Sequence, residues 1–166
     1  TKDAKGELVP WLATGSTVSD DGLTRTVKIR EGIKFTDGTA LDAAAVKANF
    51  EHLRDPKTAS STGYLALGKI KTMKAVDAST LELKLSTPDN ALLESFSMPW
   101  VAIESPTALK RSQEENCAAP VGTGPFMFVD YQLDTVIRYQ AFTEYSNGKQ
   151  PIDHLVFAIT TEPTLR

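Results

Sequence analysis

Residues 19–39 read SDDGLTRTVKIREGIKFTDGT, and this stretch decides the fold. An Asp-Gly pair stands near each end, and Asp-Gly is a strong signal for a tight turn because glycine accepts a positive φ. Between the two pairs, apolar Val27 and Ile29 alternate with polar neighbours, although Arg25 interrupts the apolar face. A period of two is typical of a half-buried strand. The stretch therefore predicts strand structure bounded by turns.

The segment that follows predicts a helix. Asp42 is a suitable N-cap residue ahead of three alanines, which are the best helix formers. Val46, Phe50 and Leu53 then form one apolar stripe at helical spacing. Pro56 ends the helix, because proline cannot continue the ladder of backbone hydrogen bonds.

The remaining elements are predicted from the same kinds of signal. Upstream, residues 8–13 predict a short helix with Pro10 in its first turn. Downstream, the pattern predicts a helical turn over 64–67, a hairpin of strands 70–76 and 80–85, helices near 90–96 and 106–115, a hairpin of strands 126–131 and 135–139, and a last strand over 152–159.

Composition excludes several classes of protein. The chain has 166 residues with 18 Lys and Arg against 21 Asp and Glu, a formal net charge of −3. It has no basic block of the kind that nucleic-acid-binding proteins show, so we expect no nucleic-acid partner. With 41% hydrophobic residues it can build a core. No apolar run comes near the roughly 20 residues of a transmembrane helix, and none has the form of a retained signal peptide.

Residue types that carry catalysis or hold metals are scarce. His52 and His154 are not spaced with other ligands as a metal site requires, and Cys117, the single cysteine, has no flanking cation to activate its thiol. Residues 122–124 resemble a phosphate loop, but they lack the third glycine and the Lys-Ser/Thr pair. We therefore expect no catalytic residue, no metal site, no cofactor and no enzyme.

Aromatic residues beside loops are better candidates for ligand contact. Tyr64 and Trp100 both stand next to loops and not inside period-two runs, and such residues can line a ligand cleft. Trp11 has a similar position, but plain packing is the stronger interpretation for it. The alternative for Tyr64 and Trp100 is also packing in a core.

Four segments together resemble a known family, the extracytoplasmic solute-binding proteins of ABC importers, family 5, of the peptide- and nickel-binding type. They are residues 6–13, 19–41, 120–126 (PVGTGPF) and 145–166. The second and third are specific in combination, and their order and spacing match the family over the whole chain.

The resemblance implies an α+β (mixed α/β) fold of the periplasmic-binding-protein-like class II, with two lobes that close on a ligand. Members are several times longer, so residues 1–166 are expected to form part of lobe I. Residues 17–119 would be its peripheral subdomain, and residues 1–16 and 120–166 would be strands of the main lobe. The export signal, the lipid-anchor cysteine, the first strand and helix and the second lobe would lie outside this chain.

The resemblance also implies a function. We expect a substrate-binding component that captures a small solute, above all a peptide, outside the cytoplasmic membrane and delivers it to the permease. In full length it would be a periplasmic or cell-surface protein, anchored as a lipoprotein. The alternative is a peptide receptor or chaperone-like module on the same scaffold, without transport. The strand edges of such a piece would also favour self-association.

The resemblance favours Tyr64 and Trp100 as the ligand-binding residues. In nickel-type members an aromatic residue at about the place of Tyr64 faces the metal chelate, with arginines near it and near the place of Trp100. Residues 57–68 contain no arginine, so a nickel-chelate ligand is disfavoured.

Overall fold

The structure is a computed structural model that describes residues 1–160. It divides into two compact units, which are described separately. Unit 1 comprises Thr1–Gly32 and Leu41–Ile103, and unit 2 comprises Ile33–Ala40 and the chain from Glu104 onward. The mixture of strands and helices confirms the α+β (mixed α/β) class. The tail of the fourth family-like segment, residues 161–166, lies outside the described residues.

Unit 1 is built on a four-stranded antiparallel sheet with the order β1-β2-β4-β3. Its strands are β1 Ala13–Val18, β2 Thr24–Ile29, β3 Ile70–Asp77 and β4 Thr80–Leu85. The strand predicted from the opening stretch is therefore confirmed, and so is the hairpin over residues 70–85.

One face of this sheet is buried. On β2, Val27 and Ile29 point into the core, as the period of two predicts. Arg25 interrupts the apolar pattern in the sequence, but it lies on the same face of β2 and is also buried. Leu81 and Leu83 on the neighbouring β4 are fully buried beside them.

Unit 1 also contains helices, the first of which packs against β3 and β4 of the sheet. They are α1 Ala43–Arg54, α2 Ser61–Leu67, α3 Leu92–Phe96 and a 3-10 helix, Pro99–Val101. The predicted N-cap is confirmed, because Asp42 Oδ1 accepts a hydrogen bond of 2.7 Å from Ala45 N. Phe50 on α1 is buried, and its ring centroid lies 5.0 Å from that of Phe96.

Unit 2 holds a three-stranded antiparallel sheet with the order β5-β6-β7. Its elements are β5 Phe126–Gln132, β6 Val136–Ala141, β7 His154–Ala158, a 3-10 helix Ala108–Lys110 and helix α4 Gln113–Ala118. The second predicted Asp-Gly turn lies in this unit, where Gly38 has a φ of 84° and Phe35 N donates to Thr39 O at 2.8 Å. That turn and both predicted strand regions are confirmed.

The short helix predicted over residues 8–13 is wrong. Arg30 N donates to Leu12 O at 2.8 Å, which continues the pairing of β1 with β2. Pairing with a strand that is distant in sequence therefore overrides the local helix signal of Pro10.

The continuous helix predicted over residues 106–115 is also wrong. Arg111 N closes the 3-10 turn by donating to Ala108 O, and the chain then extends. Ser112 starts α4 with a capping box, in which its Oγ accepts from Glu115 N and its own N–H donates to the Glu115 carboxylate. The cap at Ser112 outweighs the helix propensity of the residues before it.

Candidate functional site

The two predicted site residues lie on neighbouring elements of unit 1. Tyr64 is on α2 and is 55% exposed, and Trp100 is in the 3-10 helix Pro99–Val101 and is 47% exposed. Helix α2 packs against that 3-10 helix. Both rings lie outside the core formed by the described residues, which disfavours the packing alternative. Their role in binding a ligand stays a prediction.

A third exposed apolar side chain lies on the same helix as Tyr64. Leu65 follows Tyr64 on α2 and is 79% exposed. We name Tyr64 and Trp100 the aromatic patch.

A close helix contact holds α2 in place. A Cβ added at Gly63 would lie 2.7 Å from Ser60 Oγ and 3.0 Å from Leu53 Cδ2, so α2 approaches α1 more closely than any larger residue allows. Gly63 is buried. Ser60 caps the helix, because its Oγ accepts a hydrogen bond from the backbone N–H of Gly63. This contact places the next residue, Tyr64, on the outer side of α2.

Unit 1 also contains an apolar cavity of about 410 Å³. The inner face of the sheet contributes Val27 and Ile29, α1 contributes Phe50, and the segment before β1 contributes Trp11. Trp11 is 42% exposed, so it belongs to an accessible wall and not to a closed core. Neither Tyr64 nor Trp100 lines this cavity. No signal in the sequence joins these segments, because they are distant along the chain.

A hydroxyl cluster surrounds one carboxylate in unit 2. Asp37 Oδ2 accepts hydrogen bonds from Ser105 Oγ at 2.5 Å and from Thr107 Oγ1, and Oδ1 accepts from Thr39 Oγ1 at 2.6 Å and from Thr39 N at 3.0 Å. Burial raises the pKa of Asp37, but these hydrogen bonds outweigh burial and hold the pKa at about 2. These hydrogen bonds link the Asp-Gly turn to residues 105–107. The cluster has a structural role, and sequence reasoning gave no indication of it.

The other chemistry-bearing residues are dispersed. His52 lies in the last turn of α1 and His154 begins β7, and both are exposed, as is Cys117 on α4. Residues 122–124 lead into β5 and not into a helix, so they do not form a phosphate loop. Within residues 1–160, no group of three or more His, Cys, Asp or Glu side chains is placed to hold a metal ion. None of the helices in this part of the chain has the length and hydrophobicity that spanning a bilayer requires.

Comparison with known proteins relates this fold to characterised ones. The profile of the family described as "Bacterial extracellular solute-binding proteins, family 5 Middle" matches residues 7–166. Di/tripeptide-binding protein 4 of Pseudomonas aeruginosa (strain UCBPP-PA14) is 37% identical over 183 residues, which cover 96% of this chain and 34% of that protein. The glutathione-binding protein GsiB of Escherichia coli O1:K1 is 40% identical over 143 residues, which cover 86% of this chain and 28% of that protein.

A solved structure of a binding protein also matches the fold of this chain. The structure of the binding protein AgaA from A. tumefacien R10, in complex with agropinic acid, matches with a TM-score of 0.86 and 31% identity. The match covers 99% of this chain and 33% of that one. The chain thus spans about a third of the length of the proteins it matches. On the profile match and these identities, the chain belongs to family 5 of the bacterial extracellular solute-binding proteins.

Proposed function

We propose that this chain is part of a longer substrate-binding protein of an ABC importer, which captures a small peptide outside the cytoplasmic membrane. The observation that carries the proposal is the similarity along almost the whole chain to a di/tripeptide-binding protein, at 37% identity. The 40% identity to a glutathione-binding protein supports the same ligand class, because glutathione is itself a tripeptide. The action is binding and release, and we propose no catalytic step for it.

We further propose that the chain supplies one wall of the ligand cleft. In this assignment residues 17–119 are the peripheral subdomain of lobe I, and residues 1–16 and 120–166 belong to its main part. Closure of a second lobe would then bury the peptide, since a ligand that contacts both lobes stabilises the closed state by its differential affinity.

Tyr64 and Trp100 are the proposed contacts with the peptide. Both rings are half exposed on neighbouring elements, and aromatic rings offer large contact area at low entropic cost. They would pack on apolar side chains or backbone of the peptide. Specific recognition of the peptide termini would come from residues outside this chain.

Native mass spectrometry tests the ligand class. The complete protein that carries this chain is purified without added ligand, and the mass that dissociates from it is measured. A di- or tripeptide mass, followed by saturable binding of that peptide in calorimetry, is the expected result. A metal chelate as the retained ligand, with no peptide binding, would contradict the proposal.

Delivery to a permease is the second part of the proposal, with the protein held at the membrane by a lipid anchor outside this chain. Uptake of a radiolabelled peptide into cells should fall when the gene is deleted and return when it is restored. Peptide binding in vitro with unchanged uptake after deletion would favour a receptor or chaperone-like role instead.

Exposed sheet edges are the proposed route of self-association. In the described residues β7 is an edge strand, and Val156 and Phe157 on it are both about half exposed. Multi-angle light scattering of residues 1–166 should show a concentration-dependent mass above that of a monomer. A monomer at all concentrations would remove this part of the proposal.

A further inference from the structure

Three turns of this chain share one backbone arrangement. In each of them an Asp or Asn precedes a glycine with a positive φ, and the glycine N–H donates to the carbonyl of the residue three positions earlier. The side chain before the glycine is what distinguishes the three turns. The pairs are Asp21-Gly22, Asp37-Gly38 and Asn147-Gly148.

Such a pair can react with itself. The backbone nitrogen of the glycine attacks the side-chain carbonyl carbon of the residue before it, and a five-membered succinimide ring forms. Glycine favours this step, because it has no side chain to obstruct the approach. Ammonia leaves when the reacting residue is asparagine. Water leaves when it is aspartic acid, and only the neutral carboxyl group reacts in this way.

The two aspartates are held in the ionised, unreactive form. Burial raises the pKa of Asp37, but the hydroxyl groups around its carboxylate outweigh burial and hold the pKa at about 2. Compared with the ordinary value of 3.8, this lowers the neutral fraction near pH 7 roughly sixtyfold. Hydrogen bonds from Ser19 Oγ and from Leu23 N also lower the pKa of Asp21. Ionisation cannot protect Asn147 in this way, because an amide is neutral.

The surroundings of Asn147 leave room for the ring. Asn147 and Gly148 are both exposed in the loop between β6 and β7, and a Cβ added at Gly148 would meet no atom within 4 Å. Asn147 Nδ2 donates to the Tyr145 hydroxyl at 3.4 Å, which is long for a hydrogen bond. The Gly148 nitrogen must leave the Tyr145 carbonyl before it attacks, and this requires the loop to open but not the sheet.

We propose that Asn147 is a site of spontaneous deamidation in the folded protein, whereas Asp21 and Asp37 keep their normal backbone. The Gly148 nitrogen bonds to Asn147 Cγ, and the side-chain nitrogen leaves as ammonia. One water then opens the ring to aspartate or isoaspartate, and ammonia takes up the proton that is released. The formal net charge of the chain changes from −3 to −4. This modification does not depend on the transport function proposed above.

Peptide mapping of the aged protein tests the site. The complete protein that carries this chain is aged in the folded state at mildly alkaline pH, and an unaged sample digested in parallel gives the background. The tryptic peptide 139–149 is expected to gain one mass unit and to contain isoaspartate, and the peptides with Asp21 and Asp37 should stay unchanged. No gain above the background, or as much isoaspartate at Asp37 as at residue 147, overturns the proposal.

Two controls test the role of the glycine. Asn90 is also exposed but is followed by Ala91, so its peptide should stay unmodified during the same ageing. Gly148→Ala should slow deamidation of Asn147 by about tenfold or more, because a methyl group crowds the attacking nitrogen. Should Gly148→Ala fail to fold, Asn147→Gln serves instead, because glutamine needs a less favourable six-membered ring. An unchanged rate of deamidation in the variant overturns the proposal.

Unfolding separates the effect of the structure from that of the sequence. In urea at mildly acidic pH, Asp37 loses the hydroxyl groups that hold its carboxylate ionised. Isoaspartate at residue 37 should therefore accumulate faster in the unfolded protein than in the folded one at the same pH. Equal accumulation in both states would show that the fold does not protect Asp37, and would overturn that half of the proposal.

Discussion

Ser105 Oγ donates a hydrogen bond of 2.5 Å to Asp37 Oδ2, which joins two positions 68 residues apart in the sequence. Ser105 is fully buried, so its hydroxyl has no access to water as an alternative partner. The Asp-Gly turn at residues 37–38 is a common local motif, yet its carboxylate is used for a long-range contact. The turn therefore reverses the chain and also links two distant segments of unit 2 by a hydrogen bond.

Asp37 should contribute to stability in a way that depends on pH. Its pKa is lowered from 3.8 to about 2, so its contribution is fully present above about pH 4 and is lost as pH falls towards 2. Because this group is partly exposed and screened by solvent, we expect it to contribute about 1 kcal/mol to the free energy of unfolding. Asp37→Asn should lower the free energy of unfolding at pH 7 and flatten its decline between pH 4 and pH 2, as measured by urea denaturation. Asp20→Asn, in an exposed turn, is the control, and an unchanged acid limb in Asp37→Asn would contradict the assignment.

The N-cap of α1 can be tested with two substitutions. Asp42→Ala removes the acceptor for Ala45 N and should destabilise the protein by about 1 kcal/mol. Asp42→Ser keeps a side-chain acceptor and should retain most of the stability. Thermal denaturation followed by circular dichroism measures both variants, and equal losses would show that the cap hydrogen bond is not the cause.

Substitution of the aromatic patch should separate binding from stability. Tyr64→Ala and Trp100→Ala remove half-exposed rings and should cost no more than about 0.5 kcal/mol, whereas Phe50→Ala empties a buried position and should cost about 3–5 kcal/mol. If the patch contacts the peptide, the first two variants bind it more weakly at nearly unchanged stability. Calorimetry and urea denaturation on the same preparations give both quantities. Unchanged affinity in both variants would remove these residues from the proposed site.

Gly63 should be intolerant of a methyl group. Alanine normally stabilises a helix by about 1 kcal/mol relative to glycine, but here its Cβ would lie 3.0 Å from Leu53 Cδ2 and 2.7 Å from Ser60 Oγ. Overpacking typically costs about 1–3 kcal/mol, so we expect a net loss of about 1 kcal/mol in Gly63→Ala. Gly124→Ala meets no atom within 4 Å and is the control. A stabilised Gly63→Ala variant would mean that α2 moves away from α1 at little cost.

The parts of the fold that the sequence predicts well are those with local causes. Asp42 caps the helix that follows it, and the Asp-Gly turn at Gly38 needs only a positive φ at that residue. The two errors have non-local or competing causes. Leu12 is held by Arg30, 18 positions away in the numbering, and the helix over residues 106–115 is divided because Ser112 offers a better cap.

In the candidate site, too, features with local causes are predicted from the sequence and features that depend on distant contacts are not. Tyr64 and Trp100 are identified from their positions beside loops, and the structure leaves both exposed. The cavity could not be predicted, because Trp11 and Phe96 meet only after the sheet and helices have assembled. In the sequence, Arg25 only interrupts an apolar pattern. The structure shows that its side chain is buried and donates a hydrogen bond to Ser16.

The interleaving of the two units along the chain has a consequence for proteolysis. The chain passes from one unit to the other at Gly32–Ile33, at Ala40–Leu41 and at Ile103–Glu104. A single cut at the first of these crossings separates β1 and β2 covalently from the rest of unit 1, but β2 stays hydrogen-bonded to β4. The nicked protein should therefore elute as one species from a native column and give two bands only after denaturation. Separately expressed fragments that meet at this crossing are accordingly suited to reassembly by complementation.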